Sequence, residues 1–125
     1  MTDTEINELI KLIVENLSDD LLKKEFILTK NKNRYWGHCY VATEAFYYLL
    51  NDDERMNYTP SILKINNITH WFLVNKKTKK VIDITKKQFD FELDYSKSKN
   101  NFFLTNKPSK RTLILINRIY EKTGN

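Results

Sequence analysis

A chain of 125 residues with 41% hydrophobic and 13% aromatic side chains has the make-up of one globular domain, 1–125, able to build a core without staples. Its single cysteine excludes an internal disulfide, and no apolar run approaches the roughly 18–20 residues that span a bilayer. The net charge of +5 admits an acidic partner, while the acidic start Met1-Thr2-Asp3-Thr4-Glu5 lacks the basic head and apolar run of a signal peptide, so the expected setting is soluble, reducing and cytoplasmic.

Along residues 4–17, Ile6, Leu9, Ile10, Ile13, Val14 and Leu17 form a helical stripe, with Thr4 as its expected cap. Ser18 is then placed to cap a short second helix through Leu21 and Leu22. A polar loop through Asn31 and Asn33 leads to Trp36-Gly37-His38-Cys39-Tyr40, which runs straight into a helical pattern to Leu50. Val41, Ala42, Ala45, Phe46, Tyr48, Leu49 and Leu50 make that helix apolar over much of its circumference, as a central helix must be. Residues 51–54 read as a polar loop.

Three strands are expected at 61–65, 68–74 and 81–85, rich in Ile, Val, Thr and aromatics and divided at Asn66-Asn67 and at residues 75–78. Residues 86–101 read as irregular with a helical turn near Gln88. A last helix follows Pro108, with Leu113, Ile116 and Tyr120 on one face, widened by Ile114, Leu115 and Ile119, expected to pack on the sheet. The expected fold class is α+β, a central helix on a small antiparallel sheet.

Gly37 is the one glycine outside the extreme C-terminus, and a chain so poor in glycine uses it where the backbone bends sharply. Cys39, two residues later, opens a helix whose unpaired N–H groups favour negative charge. One other histidine, His70, lies in an apolar strand, and Asp83 stands between Ile82 and Ile84 in the next, where a carboxylate needs a partner. Cysteine, histidine and aspartate are the parts of a thiol nucleophile, its base and the group that orients the base. An even turn centred between Lys76 and Lys77 would set His70 directly opposite Asp83, with Cβ atoms about 4.5–5.5 Å apart. His70 would then face the Cys39 helix together with Phe72 and Val74, with Trp71 and Leu73 on the other side.

His38 diverges from Cys39 by about 100° around the helix and suits the lip of a pocket better than proton transfer. The backbone N–H of Cys39 is the expected oxyanion donor, with the Asn33 or Asn31 amide as a second. Trp36, Tyr35 and Tyr40 are candidate aromatic walls. A metal site of His38, Cys39, His70 and Asp83 lacks the paired spacing of structural zinc, so no metal or cofactor is expected. Lys76, Lys77, Lys79, Lys80, Lys86 and Lys87 gather around the second hairpin, with a second group at Lys97, Lys99, Lys107, Lys110 and Arg111; lysine-dominated basicity reads as a solvated face rather than a nucleic-acid interface.

Gly37-His38-Cys39-Tyr40 resembles the Gly-x-Cys-Trp/Tyr nucleophile segment of papain-like cysteine peptidases, and Asn33 stands at the offset where that family places an oxyanion-hole glutamine. His70-Trp71 and Val81-Ile82-Asp83-Ile84-Thr85 resemble the histidine–aromatic and Asp-Pro-Thr segments of the transglutaminase-like branch, with Ile84 in place of the proline. The resemblance covers roughly residues 33–90 and implies a papain-like/transglutaminase-like core, with Cys39, His70 and Asp83 catalytic and Asn33, Trp36, Gly37, His38, Tyr40 and Trp71 around the substrate. The implied activity is amide hydrolysis, deamidation or transamidation on a protein, peptide or small amide. Residues 39–45, His70-Trp71-Phe72, and Phe103-Leu104-Thr105 with Pro108-Ser109-Lys110-Arg111 also resemble a group of small phage-encoded proteins. That likeness implies a host-cytoplasmic setting and leaves a non-catalytic accessory protein, capturing a host protein or nucleotide, as the alternative, with a basic nucleic-acid-binding protein as a third reading.

Overall fold

The computed structural model describes residues 1–22 and 37–123. Its first helix, α1 (Asp3–Glu15), is capped by Thr2 rather than Thr4. Thr2 and Glu5 form a reciprocal capping box, Glu5 N–H donating to Thr2 Oγ1 at 3.1 Å and Thr2 N–H to Glu5 Oε1 at 2.8 Å, which satisfies two orphan donors at once. Ile6 and Ile13 bury its inner stripe. The expected short second helix is a 3₁₀ turn (Asp19–Leu21) without a side-chain cap bond from Ser18, and it plants Leu21 in the core.

Helix α2 (Cys39–Leu49) is central, and it is anchored at both ends. At its C-terminus Arg55 lies over the Tyr47 and Tyr48 rings and donates to the carbonyls of Tyr47 (3.1 Å) and Leu50 (2.8 Å). The cation thereby serves carbonyls at the negative end of the helix, where Tyr47 O also accepts from Leu50 N–H at 3.3 Å. Arg55 belongs to a four-residue helix, α3 (Asp52–Arg55), where a polar loop was expected; Asn51 caps it by accepting from Glu54 N–H at 2.8 Å. On the first turns of α2, Glu44 is fully buried. Its Oε1 accepts from Ser109 N–H (3.0 Å) and Thr112 Oγ1 (2.6 Å), and Oε2 lies 3.4 Å from the Tyr40 hydroxyl. This carboxylate ties α2 to the start of α4 (Lys110–Thr123).

The strands β1 (Tyr58–Ile65), β2 (Ile68–Asn75), β3 (Val81–Ile82) and β4 (Lys99–Asn100) form one antiparallel sheet in the order β3-β2-β1-β4. Asn66 and Asn67 both take positive φ, 47° and 69°, which a two-residue hairpin turn requires at both positions. The molecule is therefore α+β with a four-stranded antiparallel sheet.

Two expectations about packing are corrected. Trp71 and Leu73, with Ile62 and Ile82, share the core with Ala42, Ala45 and Phe46 of α2. His70 and Phe72 instead meet Phe89 and Tyr95 from residues 86–97. The reason is that the stretch expected to be irregular carries aromatics able to cover the second face of β2. Helix α4 packs chiefly on α2 rather than on the sheet, burying Thr112, Leu115, Ile116 and Ile119 and leaving Leu113, Ile114 and Tyr120 exposed. Glu44 sets that rotation by demanding Thr112 inward. Among the described residues no helix is long and apolar enough to cross a membrane.

Replacing Glu44 with alanine strands the buried donors of Ser109 and Thr112, so Glu44→Ala should lower stability by about 2–4 kcal/mol, and Glu44→Gln, which keeps an acceptor, by less. Urea denaturation reads both; equal stability of Glu44→Ala and the parent would remove Glu44 as the tie between α2 and α4.

Candidate active site

Gly37 has φ 75°, a left-handed conformation that a Cβ would strain, and the chain turns there into α2. His38 is the N-cap residue but makes no side-chain cap bond; its Nε2 lies 3.0 Å from the Ser18 carbonyl oxygen and its side chain is buried. It is a structural tie to the first 3₁₀ turn and is buried rather than a lip of the cleft that Cys39 lines. The first α-helical bond of α2 runs from Ala42 N–H to His38 O at 2.9 Å, leaving the N–H groups of Cys39, Tyr40 and Val41 without intrahelical acceptors.

The Cys39 thiol sits where α2 meets the start of β2 and donates to the Thr69 carbonyl at 3.6 Å. It lines an open cleft of about 690 Å³ together with Gly37, Tyr40 and Trp71. Tyr40 and Trp71 meet edge to face with ring centroids 4.9 Å apart, and the Tyr40 hydroxyl accepts from Leu104 N–H at 2.9 Å, so this wall is rigid. Asn33, Asn31, Tyr35 and Trp36 lie outside the described residues.

Behind Cys39, His70 is completely buried. Its Nε2 and Asp83 Oδ2 are 2.7 Å apart, and the Tyr95 hydroxyl donates to the same oxygen at 2.7 Å. The second hairpin reaches this geometry by a different register from the one expected. Leu73 pairs with Ile82 and Val74 with Val81, and Asn75 N–H reaches Lys80 O at 2.9 Å across the four residues 76–79. Extending that register, Asp83 falls opposite Phe72 and diagonal to His70 rather than opposite it. The loop stays even in length, so parity holds and both side chains remain on one face. The longer turn closes around Lys79 at φ 63°, which shifts the pairing by two residues.

With Nε2 engaged by the carboxylate, Nδ1 is the nitrogen left for chemistry. It makes no hydrogen bond of ordinary geometry, yet the Cys39 side chain acts on the ring. The two observations are compatible because sulfur is a long and weak partner. Burial, the largest influence, pushes the imidazole pKa down; the hydrogen bond to Asp83, the Cys39 side chain and the charges of both push it up and prevail, raising it from 6.5 to about 9. The buried ring contacts Phe89 edge to face at 5.0 Å, and this apolar surround keeps water from competing for Asp83. Burial first, then the hydrogen bond and charge of Asp83, raise the Tyr95 phenol above its ordinary value, so it remains a donor at neutral pH.

The structure thus brings Cys39, His70 and Asp83 together, with Gly37, Tyr40 and Trp71 at the adjoining cleft, and turns His38 away. Sequence reasoning missed Tyr95, which lies in a stretch without periodicity and carries no motif. A second hollow of about 370 Å³, lined by Ile6, Ile10, Asp83 and Tyr95, does not include Cys39 and so offers no nucleophile. Among the described residues no group of three or more His, Cys, Asp or Glu side chains could hold a metal ion. No protein-family model, curated protein or solved structure matches the chain.

Because the folded pKa of His70 lies above 6.5, protonation favours the native state. That contribution is complete below pH 6.5 and is lost as pH rises through about 9. Thermal melts should therefore show Tm falling across this window, and a smaller fall in His70→Gln. A parent Tm that stays flat between these limits, or a fall of the same size in His70→Gln, would reject the buried imidazolium–carboxylate pair.

Proposed function

We propose that this protein is a thiol-dependent acyl-transfer enzyme acting on an amide by hydrolysis, deamidation or transamidation, with a core of the papain-like/transglutaminase-like kind. The observation that carries the reading is the fully buried imidazole of His70, held at Nε2 by Asp83 and acted on by the side chain of the one cysteine in the chain. Burying an ionisable pair in an apolar surround is a costly way to hold two strands together, and hydrophobic residues of similar volume would do so at least as well. The arrangement makes chemical sense as an oriented base.

In the proposed cycle His70 Nδ1 takes the proton from Cys39 Sγ, and the sulfur attacks the amide carbonyl carbon. Charge that develops on the carbonyl oxygen is received by N–H groups at the start of α2, Cys39 foremost, which no helical acceptor occupies. The C–N bond then breaks as the His70 imidazolium protonates the departing amine, leaving a thioester on Cys39. Water, or an amine in the transfer variant, next attacks the thioester while His70 accepts its proton, and the thiolate leaves to take that proton back. Asp83 keeps the Nε2 proton in place throughout, and Tyr95 steadies Asp83 from its other side. An imidazole whose pKa is raised to about 9 is a strong acceptor for the thiol proton, and the imidazolium formed by that transfer neutralises the thiolate. A lone reactive thiol also fits a reducing, cytoplasmic setting.

Alkylation by iodoacetamide at neutral pH tests the pairing without knowledge of the substrate. His70→Ala should slow labelling of Cys39 about tenfold or more, Asp83→Asn less, and Tyr95→Phe least, because each is one step farther from the sulfur. Cys39→Ala should abolish labelling and leave the melt intact. Equal labelling rates in the parent and His70→Ala would sink the mechanism and favour a non-catalytic binding protein.

A further inference from the structure

The cleft beside Cys39 has a charge character that the catalytic residues do not use. Its lining includes two cations, Lys64 and Arg111, and no aspartate or glutamate among the described residues. Lys64 extends from β1, and its Nζ donates to Thr69 Oγ1 at 2.7 Å. Thr69 is also the residue whose carbonyl takes the Cys39 S–H. The ammonium and the sulfur are therefore both hydrogen-bonded to Thr69. Arg111, in the first turn of α4, lies 3.5 Å from the Leu21 carbonyl through Nη1. Among the described residues neither cation is paired with a carboxylate. The Asn67 and Asn101 side chains add neutral hydrogen-bonding groups, and Trp71 adds a flat apolar wall.

From this arrangement we infer that the substrate carries a carboxylate close to the amide under attack, received between Lys64 and Arg111. The inference rests on the acyl-transfer reading, which makes the occupant an amide. In a peptide, the anion nearest such an amide is a carboxylate, either an acidic side chain or the chain's own C-terminus. A cleft with cations on two elements and no acid among its described lining attracts that group and repels cationic sequences. Lys64, anchored through Thr69 next to the sulfur, would also orient the ligand relative to the thiol. Both cations are specificity-determining residues in this view, and neither takes part in bond making.

The test is an NMR titration of the intact protein with three blocked dipeptides: N-acetylglycylglycine, N-acetylglutamylglycinamide and the neutral N-acetylglycylglycinamide. At least one of the anionic pair should bind about fivefold more tightly than the neutral one, with shifts centred on Trp71, Lys64 and Arg111. Preference for the first assigns a terminal carboxylate, and preference for the second an acidic side chain. The preference should shrink in Lys64→Gln and in Arg111→Gln, and at about 1 M salt, where the screening length is about 3 Å. Equal binding of all three peptides, or a preference that survives both substitutions, overturns the inference. The acyl-transfer reading fails separately, as a Cys39 that His70→Ala does not slow, and that outcome leaves the binding result readable.

Discussion

The contact on which the site depends is the 2.7 Å link between His70 Nε2 and Asp83 Oδ2, made out of contact with water. Desolvation alone would leave this imidazole neutral, but the carboxylate and the thiol together outweigh it. Everything around the link protects that balance. Phe89 and Phe72 exclude water from the ring, Tyr95 donates a second hydrogen bond to the same carboxylate oxygen, and the sheet holds β2 and β3 in register.

The thiol is positioned by a different set of constraints, those that fix α2. Helix α2 is gripped at its C-terminus by Arg55 and along its first turns by Glu44, each polar tie reaching to a neighbouring element or loop. Gly37 turns the chain into the helix, and His38 is drawn off to Ser18. At the helix start the N–H groups of Cys39, Tyr40 and Val41 therefore have no intrahelical acceptor, beside the one thiol. A serine or aspartate at the His38 position would cap the helix by accepting from one of those N–H groups, which His38 does not do.

Several features were legible in the sequence because they depend on local periodicity. The apolar circumference of residues 41–50 announced the central helix, and the shared face of His70 and Asp83 needed only an even turn, whatever its length. What failed was everything that depends on a distant partner. The face of β2 that meets α2 is decided by Phe89 and Tyr95, which lie in a stretch whose coverage of the sheet has no sequence signature. The rotation of α4 is decided by Glu44, whose side chain turns Thr112 inward and leaves Leu113 outside. Thr2 won over Thr4 as the α1 cap because Glu5 is three residues beyond it, a local rule that was readable and was missed. Tyr95 belongs to the site through a single hydroxyl, and one tyrosine in an irregular stretch looks like any other.

Net charge is the least informative of the features the sequence offers, and the structure explains why. The hairpin lysines, Lys76, Lys77, Lys79 and Lys80, are solvent-exposed at the far end of β2 from Cys39, with Lys80 tied to Asp3. Such lysines protect an edge strand from pairing and carry no positional demand. Lys64 and Arg111 contribute the same formal charge, but they line a cleft whose described lining contains no acid, and one of them is hydrogen-bonded to the residue that holds the thiol. Field strength in a partly enclosed, low-dielectric cleft depends on how few charges oppose one another there, not on the sum over the surface. Two cations of this kind therefore shape the potential of the cleft more strongly than the whole exposed lysine cluster, although in composition they are indistinguishable from it.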